Sequence, residues 1–277
     1  MNAAESTIAR RDLLSAGSVL SEGRTERSEL IMLTDEELTV LGEATAPGPG
    51  VWMPWIESDP ERAEAGMESV RRILSARRTL VPEGFAAPLE DREVEGDPAR
   101  LVPEPRVAGI LLLRRSAQQV TEVDAMTTIA GETVRAKQYY YHQTGGIALE
   151  EAIDGGGNHA FAVLPLATLP EQLAEQADPY QVAGADSEVR ELPFDADATL
   201  DEEVIADTRF LLRITTSSIG GEIRRSVNIH ATSDAVHITE AVLSEGGEPQ
   251  SLRVREVSTP SLQDVLREIV ASGVERS

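Results

Sequence analysis

The chain has 277 residues, enough for one large domain or two smaller ones with a hydrophobic core. Its formal net charge of -23 repels phosphate backbones, which argues against nucleic-acid binding and suits an encounter with a basic or apolar partner. It has no cysteine, so disulfides, thiol catalysis and thiolate metal sites are excluded.

No apolar run is long enough to span a bilayer. The opening stretch carries Arg10 and Arg11 without the apolar segment and cleavage pattern of a secretory or twin-arginine signal, so a cytoplasmic protein is expected.

Residues 1–30 read as polar and partly helical at best. Thr34-Asp35-Glu36-Glu37 is a capping box ahead of Leu38, Val40 and Leu41, and predicts a short helix. Two prolines between Ala44 and Gly50 end it. Both tryptophans, Trp52 and Trp55, follow; such a pair serves either as a core plug or as a partner anchor. Ser58-Asp59-Pro60-Glu61 opens the clearest helix, with Ala63, Met67, Val70, Ile73 and Leu74 on one stripe and Arg71, Arg72 and Arg78 on the solvated face. Residues 82–105 are acidic and proline-rich and read as a surface connection.

From Leu111 onward the pattern changes to strands. Leu111-Leu112-Leu113-Arg114 resembles Phe210-Leu211-Leu212-Arg213, and each reads as an apolar strand. Tyr141-His142-Gln143-Thr144 aligns with Ile229-His230-Ala231-Thr232, and 147–153 with 236–242. Period-2 alternation marks these as strands with one buried face. Gly145-Gly146 and Ser233-Asp234 close short hairpins, and Gly155 to Gly157 has a counterpart in Gly246-Gly247. Each series ends in a helix, capped by Thr168 with Glu171 and by Thr259 with Pro260.

The expected fold is therefore α+β, with two pseudo-symmetric antiparallel sheet-plus-helix units behind an N-terminal helical segment. The expected divisions are 1–106, 107–178, a linker at 179–207, and 208–277. A short helix is expected near Asp201 to Ile205. The first unit carries an insert, Ser116 to Glu132, that reads either as an extended hairpin or as a long loop. Loops added to a rigid frame tend to bind partners.

Little chemistry is nominated. Asp195-x-Asp197-x-Thr199 starts like a calcium loop, but Leu200 replaces the required glycine and Ala206 the required carboxylate. The four histidines, His142, His159, His230 and His237, offer at best pairs of nitrogens, too few for zinc; His142 and His230 occupy equivalent repeat positions, which favours structural roles. Gly155-Gly156-Gly157 lacks the Lys-Ser/Thr and the helix of a phosphate loop. No nucleophile elbow, zinc-protease motif or dinucleotide fingerprint is present. No catalytic residue, metal site or cofactor is predicted.

Short motifs resemble a known family. Leu33-Thr34-Asp35-Glu36-Glu37-Leu38 resembles the opening helix of the EspG-type proteins of actinobacterial type VII (ESX) secretion. Ser58-Asp59-Pro60-Glu61-Arg62-Ala63 is similar to that family's Thr-x-x-Glu-Arg helix start. The run from Ile73 through Arg78 to Leu80-Val81 is similar to its Arg-Gly-Leu-Val, with Thr79 in place of the glycine. Stretches 159–176 and 251–270 resemble its sheet-plus-helix ends. The resemblance implies a non-enzymatic, cytosolic chaperone or adaptor with two pseudo-symmetric halves, holding a helical PE/PPE-like secretion substrate by its apolar tip. Val120, Val123, Met126 and Ile129 of the insert are the expected partner contacts. Two other readings stay open: an acidic immunity-type protein covering a basic toxin, and a small-molecule-binding or hydrolytic α+β enzyme.

Overall fold

The structure, a computed structural model, describes residues 10–42, 51–89, 93–94, 96–129, 132–193, 207–218, 221–243 and 249–272. Tertiary contacts divide the chain into two compact units, Met1–Ala117 with Gln143–Pro165, and Gln118–His142 with Leu166–Ser277. These units cut across the sequence blocks 107–178 and 208–277, because the chain crosses between them at residues 118, 143 and 166.

Among the described residues, the first unit combines helices with three neighbouring antiparallel strands and a separate two-stranded pair. Helix α1 (Arg10–Glu22) leads into strand β1 (Ser28–Thr34), a strand not expected from the sequence. Helix α2 (Asp35–Val40) starts at the predicted capping box: Thr34 Oγ1 accepts from the Glu37 amide, and the Glu37 carboxylate accepts from the Thr34 amide. The Trp segment forms a one-turn helix α3 (Pro54–Ser58), with Trp52 and Trp55 half-buried. Helix α4 (Pro60–Ala76) begins as predicted, with Asp59 accepting from the Arg62 amide and proline in the first turn. Ala63 and Leu74 are buried on it, whereas Ile73 faces solvent instead of widening the stripe.

The acidic connection is more structured than expected. Strands β2 (Leu80–Pro82) and β3 (Leu101–Pro103) pair antiparallel and flank helix α5 (Glu83–Leu89). The predicted strand at Leu111 is corrected to helix α6 (Pro105–Ser116). Glu104 caps it through the Arg106 and Val107 amides, both at 3.0 Å, and Pro105 sits in the first turn. A fully buried helix and a buried strand share one sequence appearance, a continuous apolar run, so periodicity could not separate them. Gly109 allows α6 to press on α1: a Cβ there would lie 2.6 Å from the Ser15 carbonyl carbon. Strands β6 (Ile147–Ile153) and β7 (Asn158–Pro165) pair antiparallel, and β7 pairs with β1.

The second unit is a seven-stranded antiparallel sheet with two helices among the described residues. Its strand order is β5 (Glu132–Gln143), β4 (Gln119–Ile129), β9 (Phe210–Ser218), β10 (Ile223–Ala231), β11 (Val236–Leu243), β12 (Pro249–Glu256) and β8 (Arg190–Pro193). Val123, Ile214 and Val227 stand side by side in register, and so do Ile229 and Ile238. All of these are buried. Helices α7 (Leu169–Ala177) and α8 (Thr259–Ala271) pack together and on β9, and the Thr216 hydroxyl reaches the Ile269 carbonyl at 3.4 Å. Leu262, Leu266 and Ile269 of α8 are each buried, an apolar contribution of roughly 1.5–3 kcal/mol per side chain.

Three local expectations change. Thr168 stands at the N-cap of α7 but makes no side-chain capping bond, because a 3-10 turn over Leu166–Thr168 leads directly into the helix. The N-cap of α8 is Ser258, one residue before Thr259, whose hydroxyl bonds to the Ala183 carbonyl instead. Part of the expected linker forms β8 along β12. The predicted helix near Asp201 and the calcium-like Asp195–Thr199 stretch lie outside the described residues.

The order four strands then helix occurs twice, as β4–β7 with α7 and as β9–β12 with α8.

Candidate functional site

The insert at 116–132 resolves as a long hairpin. Strands β4 and β5 pair continuously from Gln119 opposite His142 to Ile129 opposite Glu132. Two ion pairs reinforce it: Arg135 bonds both oxygens of Asp124, at 2.7 and 2.5 Å, and Lys137 bonds Glu122. The Asp124 hydrogen bonds outweigh the cost of burial and raise the Arg135 pKa.

The four expected contact residues fare differently. Val120 and Val123 are buried in the strand, at 2% and 1% exposure, so they are core residues and not a loop surface. Ile129 ends β4 opposite Glu132. Met126 is half-buried and opens onto a cavity of about 390 Å³ that it shares with Leu211, Arg209, Arg213, Asn228 and His230. The cavity offers hydrogen-bond donors and hydroxyls around a small apolar floor, and no carboxylate lines it among the described residues.

His230 and His142 are not equivalent. His142 is four residues from Gln138, which pairs with Val123; His230 is three residues from Val227, which pairs with Ile214 beside Val123. Even spacing keeps a side chain on the same face and odd spacing moves it across, so the two rings lie on opposite faces of the sheet. The positional equivalence expected for the two histidines therefore does not hold. His142 Nε2 sits 2.9 Å from Thr121 Oγ1, and His230 Nδ1 sits 3.3 Å from Thr208 Oγ1 and directly across from His237. Burial pushes both rings down to about 4, with His237 adding to the effect on His230, so both are neutral at pH 7.

The first unit holds a charge cluster that the sequence did not nominate. His159 Nε2 lies 2.6 Å from Asp35 Oδ1 and its Nδ1 lies 2.7 Å from Glu151 Oε1. Arg114 grips Glu151 with a fork, Nε to Oε2 at 2.9 Å and a terminal nitrogen to Oε1 at 3.1 Å. The second oxygen of Asp35 accepts the Trp55 and Ile56 amides at 2.8 and 3.2 Å, which ties α3 to the cluster. Asp35, Glu151 and His159 have no exposure and Arg114 has 4%. Two carboxylates balance one guanidinium and one imidazolium. Burial pushes the Glu151 carboxyl up, but Arg114 and His159 more than reverse this and hold it at about 2. Burial pushes His159 down, and its bonds to Asp35 and Glu151 outweigh that and raise its pKa.

This cluster resembles an acid–base site only in composition. Both ring nitrogens of His159 are engaged and the ring is sealed from solvent, so neither can take a proton from a substrate or bind a metal ion. No group of metal-binding side chains is found among the described residues. The three-glycine turn is filled from within, since Asp154 Oδ1 accepts the Gly156 and Asn158 amides at 2.9 and 3.0 Å. Sequence signals for the cluster existed: Glu151 and His159 are charged residues inside otherwise apolar strands, a placement that requires partners.

The sequence matches no protein-family model and no curated protein. Among solved structures it is similar to the type VII secretion chaperone EspG5 of Mycobacterium tuberculosis, determined in complex with a PE25–PPE41 dimer. The TM-score is 0.53 at 7% identity, covering 88% of this chain and 96% of that one. The fold is EspG-like. A second match, a trans-AT polyketide synthase dehydratase domain from Brevibacillus brevis, has a TM-score of 0.19 at 9% identity and carries no argument. That alignment covers 54% of this chain and 80% of the domain. No described helix is long and apolar enough to cross a membrane.

Proposed function

We propose that the chain is a non-enzymatic cytosolic chaperone or adaptor that holds a helical type VII secretion substrate of the PE/PPE kind. The observation that carries this reading is the fold likeness to EspG5 along nearly the whole of both chains. The sealed Asp35–His159–Glu151–Arg114 cluster supports it, because the most catalytic-looking residues of the first unit are committed to packing.

The partner contact is placed on the β4–β5 hairpin, where Val120, Val123, Met126 and Ile129 were expected. Met126 reaches the open cavity, while Val120 and Val123 set the strand that presents it. The two four-strand-plus-helix series are taken as copies of one ancestral module, which trims the expected units 107–178 and 208–277 to begin at β4 and β9. The recurrence of element order supports this.

The test is co-expression of the tagged chain with each PE/PPE-type pair encoded in the same genome, followed by size-exclusion chromatography. Co-elution of one pair as a stoichiometric complex is expected. Failure of every pair to co-elute with a folded chain overturns the reading.

A further inference from the structure

We propose that the first unit contains a binding site for a small organic phosphate, in the cavity walled by the start of α1, strand β3 and helix α6. The inference stands independently of the chaperone reading. The cavity has a volume of about 410 Å³, within the range of small-molecule sites. Its charged lining is Arg10, Arg11, Arg100 and Arg115 against Asp12 and Glu83, a local excess of positive charge in a chain whose formal net charge is -23.

Cations that converge on a cavity repel one another, and a bound anion relieves this. Neither Arg10 nor Arg100 forms an ion pair with another described residue, and both line the cavity. Arg11 is oriented by its hydrogen bond to the Pro103 carbonyl. Ala108, Leu111 and Arg115 recur at three- and four-residue steps along α6, so one helix face supplies an apolar floor and a cation at its edge. Val102 extends that floor from β3.

The chemistry selects the ligand class. Guanidinium forks match phosphate oxygens, and a phosphate offers more of them than a carboxylate does to several arginines at once. The apolar floor has no use for inorganic phosphate and fits a compact carbon body.

Titration calorimetry on the full chain at low ionic strength, with phenyl phosphate, inorganic phosphate and benzoate, tests the site. Phenyl phosphate is expected to bind at least tenfold more tightly than either of the others. Arg10→Glu and Arg100→Glu should each weaken it tenfold or more without changing the melting temperature. Arg71→Glu, the same charge change on the exposed face of α4, should leave it unchanged. Absence of phenyl phosphate binding at millimolar concentration, benzoate binding equally well, or an equal loss in Arg71→Glu each overturns the proposal.

Discussion

His159 Nδ1 lies 2.7 Å from Glu151 Oε1, and neither side chain touches water. The imidazolium is stabilised in the folded state, since Asp35 and Glu151 outweigh the burial that pushes its pKa down. A group whose folded pKa is raised contributes stability that is complete below its unfolded value and is lost as pH rises through the folded value. Unfolding free energy, measured by urea denaturation from about pH 6 to pH 9, should therefore decline on the alkaline side. His159→Gln should be less stable at pH 6 and show a flatter alkaline limb.

The acid side has a different origin. Burial holds His142 and His230 at about 4, below the ordinary histidine value of 6.5. Their contribution is complete above 6.5 and falls as the unfolded chain takes up protons the folded one refuses. Glu151, held at about 2 instead of 4.5, extends the loss to lower pH. The expected profile is a fall from near pH 6.5 to about pH 4 carried by the two histidines, followed by a shallower decline towards pH 2 carried by Glu151. Replacing both histidines with phenylalanine should flatten its upper part, a change read by denaturant midpoints.

Arg114 is the cluster's irreplaceable cation. Arg114→Met leaves Glu151 buried without its fork and should cost about 3–5 kcal/mol. Calorimetric unfolding would register it as a large fall in Tm. An equally buried apolar neighbour such as Ile110→Val should cost only about 0.5–1.5 kcal/mol.

Two helical glycines should respond with opposite signs. A Cβ at Gly109 meets Ser15 backbone at 2.6 Å, and backbone cannot swing aside as a side chain does. Gly109→Ala should destabilise by about 1–3 kcal/mol despite alanine's better helix propensity. Nothing lies within 4 Å of a Cβ at Gly17 in α1, so Gly17→Ala should stabilise by about 0.5–1 kcal/mol. Thermal melts of the two variants decide the matter.

Within the hairpin, burial separates a binding effect from a folding effect. Met126→Asp should abolish partner co-elution with circular dichroism and Tm close to the parent. Val123→Asp should unfold the second unit, because an unpaired carboxylate would enter the sheet core. Retained co-elution in Met126→Asp would remove the hairpin from the interface.

Elements whose causes are local are legible in the amino-acid order alone. The Thr34–Glu37 capping box, the Asp59–Pro60 start of α4 and the Gly145-Gly146 turn all depend on residues within one turn of each other. Both glycines at that turn have positive φ, 85° and 73°, as a two-residue hairpin demands. Tertiary structure decided whatever a continuous apolar run leaves open. Leu111 to Leu113 are buried on helix α6, which packs against α1 and β6, a setting that a continuous apolar run does not reveal. It decided facing as well: strand pairing, which composition does not reveal, puts His142 and His230 on opposite faces of the sheet. It alone brought Asp35, Arg114, Glu151 and His159 together, since charges from four separate elements find partners only when long-range packing excludes water around them.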